Sequence, residues 1–460
     1  MSGGQTMPET KILVLDDDPT GSQTVHGCLL LTRWDVATLR QALDDTSPLF
    51  FVLTNSRGMG ADQAAAVTRE VCHHLKLALA DWSAALTAQG REVHPLFVSR
   101  SDSTLRGHYP VETDVMAEEL GPFDAHFLTP AFFEGGRITR DSNHYLLVDG
   151  RPVPTAETEF ARDSVFGYST SYLPDYVAEK TRGRIPADQV GRFLLAEVRA
   201  GVRERLMALT GNVCGVVDAE TQADLDRFAA EVLASVAAGK RFLFRSAASL
   251  LTALAQLPPQ PVAAEDMRQY VRGGQPGAVI VGSHVKKTTD QLQRLLAQPG
   301  TAPLEIDVDR IQPERAALLA ATLAQAAELH AQGQTPVIFT SRVERTFADQ
   351  ATRLAFGDRV SAFLMEVVRG LPPTLGFLIS KGGITSNDVL STGLALASSR
   401  VLGQILPGCS VVRCPADHPR YPDLPVVIFP GNVGDDGALA KVYDRLAGVR
   451  SDERSLGVPS

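Results

Sequence analysis

Short apolar runs alternate along the chain with longer Ala- and Leu-rich segments whose apolar positions recur at helical spacing. Such alternation is the mark of βα units built around a parallel sheet. In the first half the pattern predicts strands at Lys11–Asp16, Leu49–Leu53, Pro95–Val98, Ala125–Leu128, Val213–Val217 and Arg241–Phe244. Helices are expected within Ala61–Leu86 and Pro110–Leu120, and over Gln222–Ala238. Asn143–Thr181 is richer in Tyr, Pro and Ser and breaks the rhythm as an irregular insertion or small hairpin. After the Pro- and Gly-rich stretch Pro258–Gly277 a second series begins. Its predicted strands are Ala278–Val281, Val337–Thr340, Leu375–Ile379, Ser410–Val412 and Val426–Phe429. Its predicted helices are Thr288–Ala297, Glu314–Ala331 with Gly333 as C-cap, and Ala438–Leu446. The expected fold is therefore α/β: two tandem α/β domains with mainly parallel sheets and a substrate cleft between them. Residues 1–257 form the first domain, 258–277 the linker and 278–460 the second domain.

Composition narrows the class. The chain has 460 residues, 44% of them apolar and 21% charged, the balance of an ordinary globular protein. A net charge of −9 argues against a general nucleic-acid binder, which carries a basic field. The five cysteines are scattered and never spaced C-x-x-C, so neither a disulfide framework nor a zinc site is indicated. Met1–Thr10 lacks an apolar signal-peptide core, and no apolar stretch approaches the length of a membrane span. A cytoplasmic location without membrane or nucleic-acid partners is the expectation, with homodimerisation left open.

In open α/β sheets ligands bind at the carboxyl ends of strands, so candidate chemistry is sought there. The first such point is Asp16-Asp17-Asp18-Pro19-Thr20-Gly21. Three adjacent carboxylates need a cation, ligand donors or free solvent, and one could take a proton from an attacking hydroxyl. The same residues also suit a plain Asp-rich turn. Next come Thr54–Gly58 with Arg57, Ser99–His108 with Asp102 and Arg106, and Pro130–Arg140 with Arg137. Guanidiniums grip carboxylate or phosphate bidentately while Ser, Thr and Asp read hydroxyls, so this half suits a small hydroxylated anion.

The second half is Gly-rich instead. Leu378–Asn387, Pro430–Gly437 and Gly282-Ser283-His284 each follow a predicted strand, and the first two lead into helices. Exposed N–H groups at such turns cradle phosphates. Asp435 and Asp436 would repel phosphate, and helix capping suits them best. No G-x-x-x-x-G-K-[ST] occurs, and no G-x-G-x-x-G follows a strand, which demotes a P-loop kinase and a simple dehydrogenase. Ser283-His284-Val285-Lys286 matches S-x-x-K, a pattern that chance supplies in chains of this length, so a hydrolase using Ser283 stays an alternative. A non-catalytic sugar-acid sensor is another. Among ten histidines there is no H-E-x-x-H and no metal-ligand set; His73 and His74 suit a helix surface, and His108 and His144 satisfied loop positions.

The segments LDDDPTG (Leu15–Gly21), TNSRG (Thr54–Gly58), SDSTLRGH (Ser101–His108), PAFFEGGRIT (Pro130–Thr139), VGSHVKKT (Val281–Thr288), KGGITSND (Lys381–Asp388) and FPGNVGDDGAL (Phe429–Leu439) together resemble the four-carbon acid sugar kinase family. The resemblance runs from about Lys11 to Gly448. It implies an N-terminal domain for threonate, erythronate or an oxidised relative, and a C-terminal domain for ATP. The reaction it implies is phosphoryl transfer to a substrate hydroxyl, served by Mg²⁺. It places ATP at Ser283, at Gly382, Gly383, Ile384 and Thr385, and at Gly431. It gives the substrate contacts to Asp17, Arg57, Asp102 and Arg106; Arg137 joins them as a candidate from its place after a strand, and Asp17 or Asp18 would orient or deprotonate the hydroxyl.

Overall fold

The computed structural model describes residues 9–282, 285–342, 350–431 and 433–448. The chain divides into two compact units: Met1–Pro259 with Leu396–Val401, and Gln260–Ala395 with Leu402–Ser460. Among the described residues no helix is long and apolar enough to cross a membrane.

The first unit is built on eight parallel strands, and their names follow chain order. These are β1 (Glu9–Asp16), β2 (Leu29–Leu31), β3 (Leu49–Leu53), β4 (Val93–Arg100) and β5 (Ala125–Thr129). Strands β6 (Arg137–Arg140), β7 (Asn143–Val148) and β8 (Arg151–Pro154) form a separate antiparallel sheet inside the expected insertion. The main sheet resumes with β9 (Gly191–Phe193), β10 (Val213–Val217) and β11 (Phe242–Ser246). Its order is β2-β3-β1-β4-β11-β5-β10-β9. Strands buried on both faces read as continuous apolar runs, and all five residues of β3 and of β5 are buried. Phe127 of β5 is ringed by Phe193, Phe228, Phe242 and Phe244 at centroid distances of 5.4, 5.6, 5.5 and 5.4 Å. The helix Ala61–Thr87 buries Val71, Cys72, Leu75, Ala78, Trp82 and Leu86, the stripe its sequence period predicts.

The second unit holds β12 (Ala278–Val281), β13 (Thr301–Ile306), β14 (Thr335–Thr340), β15 (Leu378–Lys381), β16 (Ser398–Leu406), β17 (Cys409–Arg413) and β18 (Pro425–Phe429). Its order is β13-β14-β12-β15-β18-β17-β16, parallel as far as β18, with β17 antiparallel to β18. The first residues of β16, Ser398–Arg400, pair antiparallel with β2 and belong to the first unit.

Several elements differ from expectation. The strand predicted at Leu375–Ile379 runs over Leu378–Lys381, because Gly376 is pressed against the Gln275 carbonyl and the chain still turns there. The stretch Pro258–Gly277 carries two 3₁₀ segments and buries Met267 completely in the core of the second unit. Strand β13 was unexpected because Pro303 argues against a central strand, and it sits at the sheet edge where Pro is tolerated. Strand β16 was hidden by its polar start and by Gly403 at φ +134°.

Candidate functional site

In the first unit β1 lies between β3 and β4, so successive strands are laid down on opposite sides of it. The carboxyl end of β1 is thus the switch point, where open α/β sheets form a crevice. Asp16, Asp17 and Asp18 lie there, flanked by Thr54–Gly58 after β3 and Ser101–His108 after β4.

The three carboxylates have different surroundings. Arg57 clamps Asp17 bidentately, Nη2 to Oδ1 at 2.5 Å and Nε to Oδ2 at 3.2 Å, and reaches Asp18 Oδ2 with Nη1 at 3.2 Å. Ser101 Oγ donates to Asp17 Oδ2 at 2.7 Å. Asp18 Oδ1 accepts from the Thr20 amide at 2.8 Å and the Thr20 hydroxyl at 2.6 Å. Burial pushes the Asp18 carboxyl up, but Arg57, Arg100 and the Thr20 bonds outweigh it and hold the group below the usual range. Asp16 is the reverse case. It has no exposed surface, and its burial, reinforced by Asp17 and Asp18, pushes it up to about 7 against the pull of Arg100. Arg100 Nη1 donates to its Oδ1 at 3.2 Å, while Oδ2 has no partner. That oxygen lies under Gly21, where an added Cβ would stand 1.9 Å from it, so only glycine fits.

Arg57 therefore stands in an ion-pair lattice rather than open to a ligand. Arg106 donates Nε to Asp102 Oδ2 at 2.7 Å, and Thr104 bonds the same oxygen. Burial works against the Asp102 charge, yet Arg57 and Arg106 hold it far below the ordinary carboxylate range. The guanidiniums of Arg106 and Arg137 both lie over the Phe160 ring, 4.9 and 6.0 Å from its centroid. Arg137 donates Nη1 to the Gly135 carbonyl, and its Nε is buried without a partner. Asp17, Asp18, Arg57, Asp102, Arg106 and Arg137 thus form one connected group. The electrostatic influences link them as well, since Asp102 acts on both Arg57 and Arg137.

Three residues of this lattice escaped the sequence reading. Arg245 Nη1 donates to Glu112 Oε2 at 2.5 Å and Ser99 Oγ at 2.6 Å, and its Nη2 to Ser101 Oγ at 2.8 Å. Glu112 Oε1 accepts from Ser56 Oγ at 2.5 Å, which ties the loop after β3 to the same pair. Phe160 lies in the insertion, far in sequence from the arginines it supports. The available signal for Arg245 was a charged residue directly after the apolar run Phe242–Phe244. His108 contacts the Ser56 and Met59 carbonyls through Nε2. Buried His144 contacts the Ser103 carbonyl and the Thr139 hydroxyl, with burial lowering it to about 4. Both are satisfied structural histidines.

In the second unit the switch point lies at β12, which has β14 on one side and β15 on the other. Gly282 follows β12 and packs so closely on Thr385 that an added Cβ would meet its Oγ1 at 2.5 Å. Gly382 adopts φ +116° and its amide donates to the Phe429 carbonyl at 2.8 Å, after which the helix Gly383–Asp388 begins. Ile384 projects from that turn with 72% of its surface exposed. Lys381 is fully buried and donates to the Pro430 and Gly431 carbonyls at 2.7 and 3.0 Å. Asp435 Oδ1 accepts from the Gly437 amide at 3.0 Å, an Asx turn ahead of the helix Ala438–Ala447 rather than the helix cap expected of it, and Asp436 is exposed. Gly382, Gly383, Ile384, Thr385 and Gly431 therefore come together across two adjacent strand ends. Ser283, the remaining expected ATP contact and the alternative hydrolase nucleophile, lies outside the described residues. No group of three His, Cys, Asp or Glu side chains able to hold a metal occurs among the described residues. All five cysteines are buried free thiols.

A polar lattice at the switch point of one α/β unit and glycine-rich turns at that of the other define a two-unit ligand-binding protein. Residues 12–254 match the family model of a sugar-binding N-terminal domain, and residues 278–439 that of a nucleotide-binding C-terminal domain. The chain belongs to the four-carbon acid sugar kinase family. It is 29% identical over 231 residues to the D-erythronate kinase of Heliobacterium modesticaldum, covering 48% of this chain and 47% of that one. It is 30% identical over 224 residues to the D-threonate kinase of Bordetella bronchiseptica, covering 47% and 48%. The chain spans about half the length of the curated relatives it matches. A solved Haemophilus influenzae protein shares the fold at TM-score 0.63 and 17% identity, over 95% of this chain and 99% of that one.

Proposed function

We propose that the protein is an ATP-dependent kinase that phosphorylates a hydroxyl of a four-carbon acid sugar of the threonate, erythronate or 2-oxo-tetronate type. The observation that carries this is the arginine–carboxylate lattice at the switch point of the sugar-binding unit, which offers guanidinium to a carboxylate and carboxylate to hydroxyls. Arg106 and Arg137, each over the Phe160 ring, grip the sugar carboxylate. Asp102 accepts from a sugar hydroxyl while holding Arg106 in place. Arg57 orients Asp17 and Asp18, and its charge helps hold Asp18 ionised.

Of the two carboxylates, Asp18 is the better candidate to meet the attacking hydroxyl. Its side chain is 22% exposed, against 2% for Asp17. A carboxylate held ionised is a weak base, but a loose phosphoryl-transfer transition state asks mainly for positioning and charge neutralisation. The turns at Gly382–Thr385 and Gly431 take the ATP phosphates on backbone amides, and Ile384 offers apolar surface beside them. Mg²⁺ arrives on the phosphates and requires at most one or two protein carboxylates, so a three-ligand cage is not needed. When bound it neutralises the charge developing on the transferred group.

The test is ADP release from ATP and Mg²⁺ against a panel of threonates, erythronates and their 2-oxo forms. Turnover with one member establishes the activity and names the substrate. Silence across the whole panel while ATP still binds would discard the acid-sugar assignment.

A further inference from the structure

The end of β15 carries a buried lysine whose bonds are unusual for its type. Lys381 stands opposite Phe429, the last residue of β18, in parallel register. Its side chain does not run out to solvent. Nζ turns across the strand ends to the Pro430 and Gly431 carbonyls and lies 4.3 Å from the Phe429 ring centroid. The next residue, Gly382, returns a bond from its amide to the Phe429 carbonyl at 2.8 Å. The far side of the same turn is held by buried Gln291, whose Nε2 donates to the Val433 carbonyl at 3.0 Å and the Asp435 carbonyl at 2.8 Å. Backbone carbonyls that accept from buried side chains point inward, which leaves the turn's other face for a ligand.

We propose that Lys381 is a positioning residue that joins the two glycine-rich turns into one phosphate cradle, and that nucleotide binding requires its ammonium form. The inference rests on the nucleotide-binding role proposed above. A buried ammonium is costly unless a negative charge balances it. Among the described residues the titratable groups facing Lys381 do not provide one. Cys409 of β17 is a thiol that burial pushes up to about 12, so it is neutral, and Lys287 of the helix Lys286–Leu296 carries like charge. Burial first, and Lys287 among the charges, bring Lys381 down to about 7. Near neutrality the empty cradle therefore holds its lysine only part-protonated. A polyphosphate arriving at Gly382 and Gly431 supplies the missing charge, and the lysine takes up a proton as it binds.

Linkage sets the size of the effect. A group that gains up to one proton on binding makes affinity fall by as much as about tenfold per pH unit above its free value. The experiment is calorimetric titration of the full-length protein with ATP from about pH 6 to pH 9, in buffers of contrasting ionisation enthalpy to count protons. The wild type is expected to lose affinity above about pH 7 and to take up close to one proton at pH 8. Lys381→Met should bind weakly at every pH with no lysine-linked uptake. The conservative Lys381→Arg should restore binding without the pH slope, and it serves as the probe where the methionine variant does not fold. Titration of the ATP phosphates themselves is common to all three proteins and cancels in the comparison. Equal affinity and equal slope in wild type and Lys381→Met would overturn the inference while leaving ATP binding intact. Failure of ATP to bind the folded wild type at any pH would instead remove the nucleotide role, and this inference with it.

Discussion

Replacing Asp16 by asparagine should stabilise the first unit at high pH and leave it nearly unchanged at low pH. The carboxyl is fully buried, with Oδ2 unpartnered under Gly21, and burial raises its pKa from 3.8 to about 7. The folded state therefore favours the protonated form. The contribution of this group to stability is fully present below the unfolded value of 3.8 and is lost as pH rises through about 7. A difference of about 3 units, at 1.36 kcal/mol each, amounts to roughly 4 kcal/mol between about pH 4 and pH 8. Asparagine keeps the shape and carries no such titration. Arg100 loses its nearer ionic partner in the variant and keeps only Asp17 at 3.9 Å, so the observed gain should be smaller than that ceiling. Both tryptophans, Trp34 and Trp82, lie in the first unit, so urea unfolding followed by tryptophan fluorescence reports that unit. The measurement is the gap in unfolding free energy between variant and wild type across pH. A gap that is flat from pH 4 to pH 8, or that shrinks as pH rises, would refute the assignment of Asp16 as a buried, strained acid.

Two further substitutions probe the lattice. Arg106→Ala should raise KM for the acid sugar roughly tenfold to a hundredfold, the worth of one charge-assisted hydrogen bond, with ATP affinity unchanged. Steady-state kinetics with each substrate varied in turn checks this, and a matching loss of ATP affinity would count against it. Arg245→Met strands Glu112 as a buried unpaired charge and should cost about 3–5 kcal/mol, whereas adding Glu112→Leu should recover most of the loss. Thermal unfolding of the single and double variants distinguishes a structural ion pair from one that only serves ligand binding.

Much of this was legible because the signals were local. The run Ile12–Leu15 is continuously apolar up to the Asp16 carboxylate, so both the strand and the site at its end followed from one segment. The Gly382 turn was similarly visible, since a glycine pair between an apolar run and a helix start has few other uses. What escaped was non-local. Arg57 carries the residue type of an anion grip, yet its partners Asp17 and Asp18 are some forty positions away, and only the β1–β3 pairing shows that it is already engaged. Glu112 and Arg245 are 133 positions apart, and neither suggests the other in sequence. Phe160 has no signature at all, because a ring beneath two guanidiniums is ordinary until the fold brings them over it. Strand β13 was missed because propensity spoke against Pro303, while tertiary position at the sheet edge overrode it.

The commitments of the arginines determine which of them can receive a ligand. Arg57 is held by Asp17 and Asp18, Arg100 by Asp16, Arg106 by Asp102 and Arg245 by Glu112. Each of these pairs must be loosened before its guanidinium can turn to a new anion, and a paired buried charge gives up its partner at a cost. Arg137 is different. Among the described residues it is the one arginine of the lattice not held by a carboxylate, bonding only the Gly135 carbonyl, with Nε buried and unpartnered. Burial lowers its pKa, the sign of a cation short of negative charge. An incoming carboxylate is therefore worth more at Arg137 than at any paired arginine, because it satisfies a donor rather than displacing an acceptor. Arg106 also lies over the Phe160 ring but is already paired with Asp102, so it stands second to Arg137 as an anion grip. Under the proposed function, an acidic chain of net charge −9 would select a small anion through one guanidinium not held by a carboxylate, and not through the field of the whole molecule.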